Sequence, residues 1–313
     1  MRVIIAEFMD EAGVRHLAER HDTAYDASLS ERRDALLAAV AEADALIVRN
    51  RTRVDAALVA AASRLRVVGR LGVGLDNIDL AACAARGIEV IPATGANALA
   101  VAEYVIATAF LLVRGAYSST AATAAGDWPR AALSSGRELR GRTLGLVGFG
   151  SIGRATARLG RAVGMGTIGF DAHVAASAGE WREERTTPRR FEELLRESDV
   201  VSLHVPLDPA TRGLLGAEAL ALMKPDAVLV NTARGGVVDE AALAAALKAG
   251  RLAGAALDVF ETEPLAAGSP LAGCPNLILT PHVAGVTRES NLRVSMLIAQ
   301  KVAASLDAGR ATS

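Results

Sequence analysis

Short β-branched runs alternate along this chain with alanine-rich segments of helical period. In the first third the pattern predicts strands over 3–6, 45–48, 67–70 and 89–91, with helices over 11–19, 31–42, 55–62 and 80–85. Strands that alternate with helices in this way imply βαβ units and a parallel sheet. A loop-like stretch over 134–138 precedes a second series, with strands predicted over 144–147, 167–170, 200–204, 227–231, 255–259 and 277–279. Helices fit between them, notably over 152–163 and 239–248, the latter with Asp239 as N-cap and Gly250 as its stop. The expected class is therefore α/β, with two doubly wound parallel-sheet domains. A last helical segment over 288–306 follows the second sheet and is expected to return to the first domain. The expected division is 1–97 plus 286–313 for one discontinuous domain, and 98–285 for the other.

Composition narrows the function classes. The 313 residues carry 34 basic and 35 acidic side chains, a net charge of −1, which argues against a nucleic-acid partner. Aromatic residues make up only 4%, so base-stacking platforms are disfavoured too. The longest apolar stretch, 98–113, contains Glu103 and is short for a membrane span, so it reads as a buried helix. Cys83 and Cys274 form no CxxC pair and no metal-ligand spacing, which favours a reducing cytoplasm and no bound metal. Glu7 comes too early for a secretory signal.

The second domain opens with a cofactor fingerprint. After the strand over 144–147 comes Gly148-Phe149-Gly150-Ser151-Ile152-Gly153, leading into a helical run. In that context Gly148 makes the tight turn, Gly150 lets a pyrophosphate approach the backbone, and Gly153 lets helix and strand pack closely. The helix start, at Ser151 and Ile152, offers N–H groups and partial positive charge to the phosphates. Asp171 ends the next strand, placed to accept hydrogen bonds from ribose hydroxyls. A carboxylate there repels a 2′-phosphate, and Ala172 and His173 bring no arginine, so the expected cofactor is NAD.

Five histidines occur. His16 and His21 read as solvated, His173 as a loop residue, and His204, before Val205-Pro206, as structural or cofactor-lining. His282 differs, because Thr280-Pro281-His282-Val283-Ala284-Gly285 follows a strand at the edge where open α/β sheets bind ligands. Arg234, in Asn231-Thr232-Ala233-Arg234-Gly235-Gly236, and Glu263, in the segment from Leu257 to Pro264, follow two other strands of the same half. Reducing a 2-oxo acid needs a proton for the carbonyl oxygen, which His282 can supply. Glu263 would stabilise the imidazolium, and Arg234 offers a planar fork to the substrate carboxylate and carbonyl.

At these residues the chain resembles the D-isomer-specific 2-hydroxyacid dehydrogenase family. The likeness spans essentially the whole sequence and is carried by Gly69-Arg70-Leu71-Gly72-Val73-Gly74-Leu75-Asp76-Asn77-Ile78-Asp79, the glycine fingerprint, and the segments 231–240, 258–264 and 281–285. It implies a flavodoxin-like substrate domain split by an inserted Rossmann NAD domain, with a cleft between them and hinges near 97–98 and 285–288. It implies His282 as acid–base, Glu263 as its partner and Arg234 as substrate anchor. Asp258 is implied to hold the nicotinamide carboxamide, and Thr232, Ala233, His204, Pro206 and Gly285 to line the cofactor. The backbone amides of Val73 and Gly74 are implied to bind the substrate carboxylate. Formate dehydrogenases of this fold usually carry glutamine where Glu263 stands, which disfavours that branch. The phosphoglycerate dehydrogenase branch looks closest, although no C-terminal regulatory domain is expected after the returning helix.

The segment Arg49-Asn50-Arg51-Thr52-Arg53 ends a strand of the first domain, and in the family this loop faces the substrate. Asn50 and Arg51 are expected to meet a group on substrate C3, while Arg53 reads as solvated. The expected substrate is a small 2-hydroxy acid with a second anion there, such as 3-phosphoglycerate, 3-sulfolactate or malate. Glyoxylate or hydroxypyruvate reduction is an alternative. A rival of another class is an NAD(H)-sensing protein like the transcriptional corepressors of this fold. The helix over 98–113 and the arm over 116–139, with Trp128 and Pro129, are expected to form a homodimer interface by the same resemblance.

Overall fold

The computed structural model describes residues 1–308. The chain divides into two compact units, Met1–Asn97 with Val286–Ser313, and Ala98–Gly285. Residues 309–313, which the sequence reading assigns to the first domain, lie outside the described residues.

The first unit contains β1 (Arg2–Ile5), α1 (Glu11–Ala18), β2 (Asp22–Tyr25), α2 (Arg33–Val40), β3 (Ala45–Val48), α3 (Ala56–Ala61), β4 (Val67–Arg70), α4 (Leu80–Ala85) and β5 (Glu89–Pro92). The strands pair in parallel in the order β2-β1-β3-β4-β5. Ala45–Val48 is buried at every position, as a central strand covered on both faces must be. Asp10, Asp55 and Asp79 cap α1, α3 and α4, their side chains accepting the N–H of Ala12, Leu58 and Ala82. The sequence pattern does not predict β2; it is an edge strand, mostly exposed and without an apolar run.

The second unit contains α5 (Ala98–Arg114), α6 (Thr120–Ala124), β6 (Thr143–Val147), α7 (Ser151–Ala162), β7 (Gly166–Phe170), α8 (Gly179–Glu183), β8 (Thr187–Pro188), α9 (Phe191–Glu197), β9 (Val200–Leu203), α10 (Ala217–Leu222), β10 (Val228–Asn231), α11 (Glu240–Lys248), β11 (Gly254–Leu257) and β12 (Leu277–Leu279). Seven parallel strands run in the order β12-β11-β10-β9-β6-β7-β8. Strand order reverses between β6 and β9, the switch point where such sheets leave a crevice beyond the strand ends. Asp239 caps α11, its carboxylate accepting the Ala242 N–H.

The chain then returns as α12 (Arg288–Ala308), which packs inside the first unit. Its Ile298 and Val302 lie on β4 at Gly69, where a Cβ would come 2.7 and 2.9 Å from their Cγ2 atoms. Ser295, on the same helix, accepts the Asp10 N–H at 3.0 Å and so ties the start of α1. His21, read from sequence as solvated, is buried instead, with Nε2 3.9 Å from Asp307 of α12. The helix beside it comes from the far end of the chain, which no local pattern announces.

Gly69→Ala should force α12 away from β4 and cost about 1–3 kcal/mol, the usual range for overpacking. Urea unfolding should show this as a lower midpoint; an unchanged midpoint would mean that the helix rides on the sheet with slack.

Candidate active site

Functional candidates of the second unit gather at the carboxyl ends of its strands. β6 runs into Gly148, whose φ of +98° suits glycine and whose added Cβ would lie 2.5 Å from the His204 carbonyl. Phe149 turns inward, buried and stacked on Trp181 at 4.0 Å between centroids. Gly150 is the N-cap of the twelve-residue α7, and Ser151 and Ile152 form its first turn. A Cβ on Gly153 would strike the Gly148 carbonyl, whereas a Cβ on Gly150 would meet nothing within 4 Å. The space in front of this helix start is thus open, and its N–H groups face it.

Asp171 follows β7, and its carboxylate accepts the Phe149 N–H at 2.7 Å and the His173 N–H at 2.8 Å. The glycine turn and the acid therefore fix one another. A cavity of about 590 Å³ opens beside it, lined in part by Phe170, Val174, Arg189 and Arg190. Those two arginines form surface ion pairs with Glu197 and Glu193. His204 follows β9 and donates its N–H to Val147 O at 2.7 Å. Its Nε2 is buried without a partner, as is Thr232 Oγ1 past β10. Burial pushes the His204 pKa down to about 3, so the ring is neutral near pH 7. Pro206 lies in the loop after β9, and Ala233 N–H bonds to Asn231 Oδ1 at 3.0 Å. An open helix start, an oriented acid and two unsatisfied buried polar atoms on neighbouring strand ends fit a dinucleotide.

Past β10, β11 and β12 come Arg234, Glu263 and His282, so three adjacent strands place them along one edge of the sheet. His282 Nδ1 lies 2.8 Å from Glu263 Oε2, and the other carboxylate oxygen accepts the Phe260 N–H at 3.2 Å. Because a carboxylate can only accept, that bond sets the proton on Nδ1 and directs Nε2 to exchange one. His282 has a left-handed backbone, φ +56°, unusual for a residue with a Cβ. Its N–H bonds the carbonyls of Asp258 at 2.8 Å and Thr280 at 3.0 Å, which hold it there. Arg234 donates to Ala233 O at 2.6 Å, and the buried Asn231 amide holds the Arg234 carbonyl at 3.0 Å.

Asp258 is buried beneath this histidine loop. Its carboxylate accepts the Thr280 hydroxyl at 2.6 Å and the N–H groups of Val283 and Ala284 at 2.8 Å each. Thr280 gives its proton to Asp258 and so accepts from the Tyr104 phenol at 2.6 Å. Burial pushes the Tyr104 pKa up, which keeps that donor protonated. Sequence reasoning singled out neither Tyr104 nor Thr280 by role; a loop threonine and a helical tyrosine carry no signal until the fold joins them. Gly285 ends the loop and the unit.

In the first unit, Asn50 and Arg51 follow β3. Asn50 is exposed, and Arg51 reaches Glu31 at 2.8 Å in a surface pair, worth about 0–1 kcal/mol and so readily exchanged. Sequence reasoning passed over Arg49, whose guanidinium is half-buried, 5.9 Å from the Phe8 ring centre and 3.2 Å from Asn291 Oδ1. Burial lowers its pKa, and the Glu7 charge opposes that effect. Val73 and Gly74 follow β4, half-buried, in the turn that leads to Asn77.

Residues 106–284 match the family model described as D-isomer specific 2-hydroxyacid dehydrogenase, NAD binding domain. The chain is similar to (S)-sulfolactate dehydrogenase of Chromohalobacter salexigens, 53% identical over 300 residues that cover 96% of both chains. It is also similar to D-3-phosphoglycerate dehydrogenase of Archaeoglobus fulgidus, 38% identical across 96% of this chain and 56% of that one. This chain thus spans little more than half the length of that relative. Among solved structures, the TT0316 protein from Thermus thermophilus superposes with a TM-score of 0.88 at 36% identity, covering 98% of this chain and 97% of the other.

The glycine turn and the buried ring can each be tested. Gly150→Ala should leave thermal unfolding unchanged yet raise the KM for NADH at least about tenfold, because the methyl group enters only the space facing the helix start. Gly153→Ala should lower both stability and cofactor affinity; equal melting losses in the two variants would contradict the geometry. For His204, the unfolded chain takes up a proton below about pH 6.5 that the native ring refuses until about pH 3. Stability should therefore fall as pH drops through that window and be level above it. Melting curves of His204→Gln should show a flatter decline, and an identical decline would show that other groups govern it.

Proposed function

Since the chain belongs to the D-isomer-specific 2-hydroxyacid dehydrogenase family and is an NAD-dependent oxidoreductase of CH–OH groups, we propose that its substrate is a small 2-hydroxy acid with a second anion on C3, of the sulfolactate type. The observation that carries the chemistry is the 2.8 Å pairing of His282 with Glu263 at the sheet edge. In the oxidation direction His282 Nε2 takes the hydroxyl proton as the C2 hydride leaves, giving a 2-oxo acid and a protonated imidazole. NAD, when bound, accepts that hydride and returns it in the reverse reaction. Glu263 stabilises the imidazolium while it lasts, and Arg234 anchors the substrate carboxylate. Asp258 and its bonds to Thr280, Val283 and Ala284 keep the loop in the shape that presents His282, and the family resemblance assigns it the nicotinamide carboxamide. Val73 and Gly74 supply backbone N–H groups to the carboxylate. The second anion falls to the loop of Arg49, Asn50 and Arg51.

Sequence identity favours sulfolactate within that class, and the stereochemistry is compatible with it. The sulfolactate dehydrogenase relative is 53% identical to this chain, against 38% for the phosphoglycerate dehydrogenase. The stereochemical labels also agree. Sulfur outranks the carboxyl group in priority, so (S)-sulfolactate has the same spatial arrangement as the D-forms of simple 2-hydroxy acids. 3-Phosphoglycerate is the second reading, supported by that 38% relative and by the same loop.

We further propose a twofold homodimer through the outer face of α5 and the arm after it. Leu99, Phe110, Tyr117 and Trp128 are exposed there, Trp128 at 78%, and an apolar patch of this kind suits a partner. Both cysteines are free thiols, which suits the reducing cytoplasm.

An NADH-coupled panel of 2-oxo acids tests the substrate. Sulfopyruvate should be reduced with the highest kcat/KM, ahead of phosphohydroxypyruvate, oxaloacetate, hydroxypyruvate, glyoxylate and pyruvate; activity with none would favour an NAD(H)-sensing role. His282→Asn should cut kcat by about 10²–10⁴ with little change in NADH affinity. Arg51→Ala and Arg49→Ala should raise KM for dianionic acids far more than for pyruvate, and equal losses on both would sink the assignment of the second anion.

A further inference from the structure

A buried carboxylate and an amide grip the turn 49–52 from opposite sides. Glu7, just past β1, is only 4% exposed. Its Oε1 accepts the N–H groups of Arg49 at 2.8 Å and Thr52 at 2.9 Å, and its Oε2 accepts that of Arg51 at 3.1 Å. From the other side, Asn77 Nδ2 donates to the carbonyls of Arg49 at 3.1 Å and Thr52 at 2.7 Å. Asn77 is itself fixed, since its carbonyl accepts the Val54 N–H at 2.8 Å, and Asp79 N–H returns to Val54 O at 2.8 Å. The turn after β3 and the turn after β4 are thereby laced into one piece.

We propose that Glu7 and Asn77 are positioning residues that set the shape of this turn and so determine preference for a doubly anionic substrate. The inference rests on the substrate reading above; Glu7 is buried and Asn77 half-buried, and both act through the backbone of the turn. Three inward-turned N–H groups leave Asn50 as the one residue of the turn whose backbone donor Glu7 does not take. The Glu7 charge beneath Arg49 opposes in part the effect of burial on the half-buried guanidinium, which stays a cation in any case. Glutamate is the residue type this turn requires. Glutamine has one acceptor oxygen and would set an NH₂ against an N–H, and aspartate is a methylene short.

The test uses the full chain, with Glu7→Gln and Asn77→Ala measured on sulfopyruvate and on pyruvate with NADH, alongside thermal unfolding. Each variant should raise KM for sulfopyruvate about tenfold or more, the scale of a lost hydrogen bond to a charged group, with kcat, the KM for pyruvate and the KM for NADH within about twofold. The double variant should lose less than the product of the two, because both act on one turn. A wild type indifferent to the second charge overturns the substrate reading, and this proposal with it. A discriminating wild type whose variants lose equally on both acids, or lose nothing, overturns this proposal alone. If Glu7→Gln does not fold, Asn77→Ala decides the matter from the other side of the turn.

Discussion

Every parallel strand that ends leaves backbone N–H groups without ladder partners, and this chain satisfies several of them with buried or half-buried carboxylates. At the amino edges of the sheets Asp44 accepts the Arg2 N–H at 2.7 Å and Asp199 that of Thr143 at 2.8 Å. These acids also have cations against them, Arg64 for Asp44, and Arg142 and Lys224 for Asp199. At the carboxyl edges Glu7, Asp171 and Asp258 are held chiefly by N–H and O–H donors of the loops they organise. The candidate site residues lie at the carboxyl edges, where each carboxylate fixes a loop by its backbone whether the side chains turn inward, as those of Phe149 and Thr52 do, or outward, as that of Asn50 does.

Both units use this device at matching places. Asp44 opens β3 and bonds the start of β1; Asp199 precedes β9 and bonds the start of β6. In each sheet these two strands are neighbours across the point where the order turns. The outcomes differ through the loops that follow. In the first unit the loop after β3 carries arginines over a buried glutamate; in the second, the loop after β6 carries glycines before a helix. One architecture thus presents arginine side chains after a strand in one unit and a glycine turn before an open helix start in the other.

Much of this was legible in advance, and the parts that were not share a cause. Central strands show as unbroken apolar runs, and Asp55, Asp79 and Asp239 announce helix starts locally. The glycine fingerprint, Asp171 and the three residues Arg234, Glu263 and His282 stand in segments whose spacing is readable along the chain. β2 and β8 were missed because short edge strands need no apolar run. His21, Arg49 and Glu7 were missed or misread because their surroundings are assembled from distant segments. Asp307 and Asn291 come from the returning helix, and the turn that Glu7 holds follows another strand. A polar residue's pattern along the chain reports exposure only when its neighbours are local.

The identity of the partner of His282 follows from the proton balance of the reaction. Oxidising an alcohol releases a hydride and a proton from the same carbon–oxygen unit, so in the mechanism proposed above the histidine alternates between neutral and charged in each turnover. A carboxylate at 2.8 Å stabilises the charged half of that cycle and keeps Nε2 as the exchanging atom in both halves. Formate carries no hydroxyl proton at neutral pH, and its oxidation releases a hydride alone. A neutral glutamine, usual at this position in formate dehydrogenases of the fold, then serves as well as an acid. In the mechanism proposed above, Glu263 is thus the residue type that suits a proton moving with the hydride.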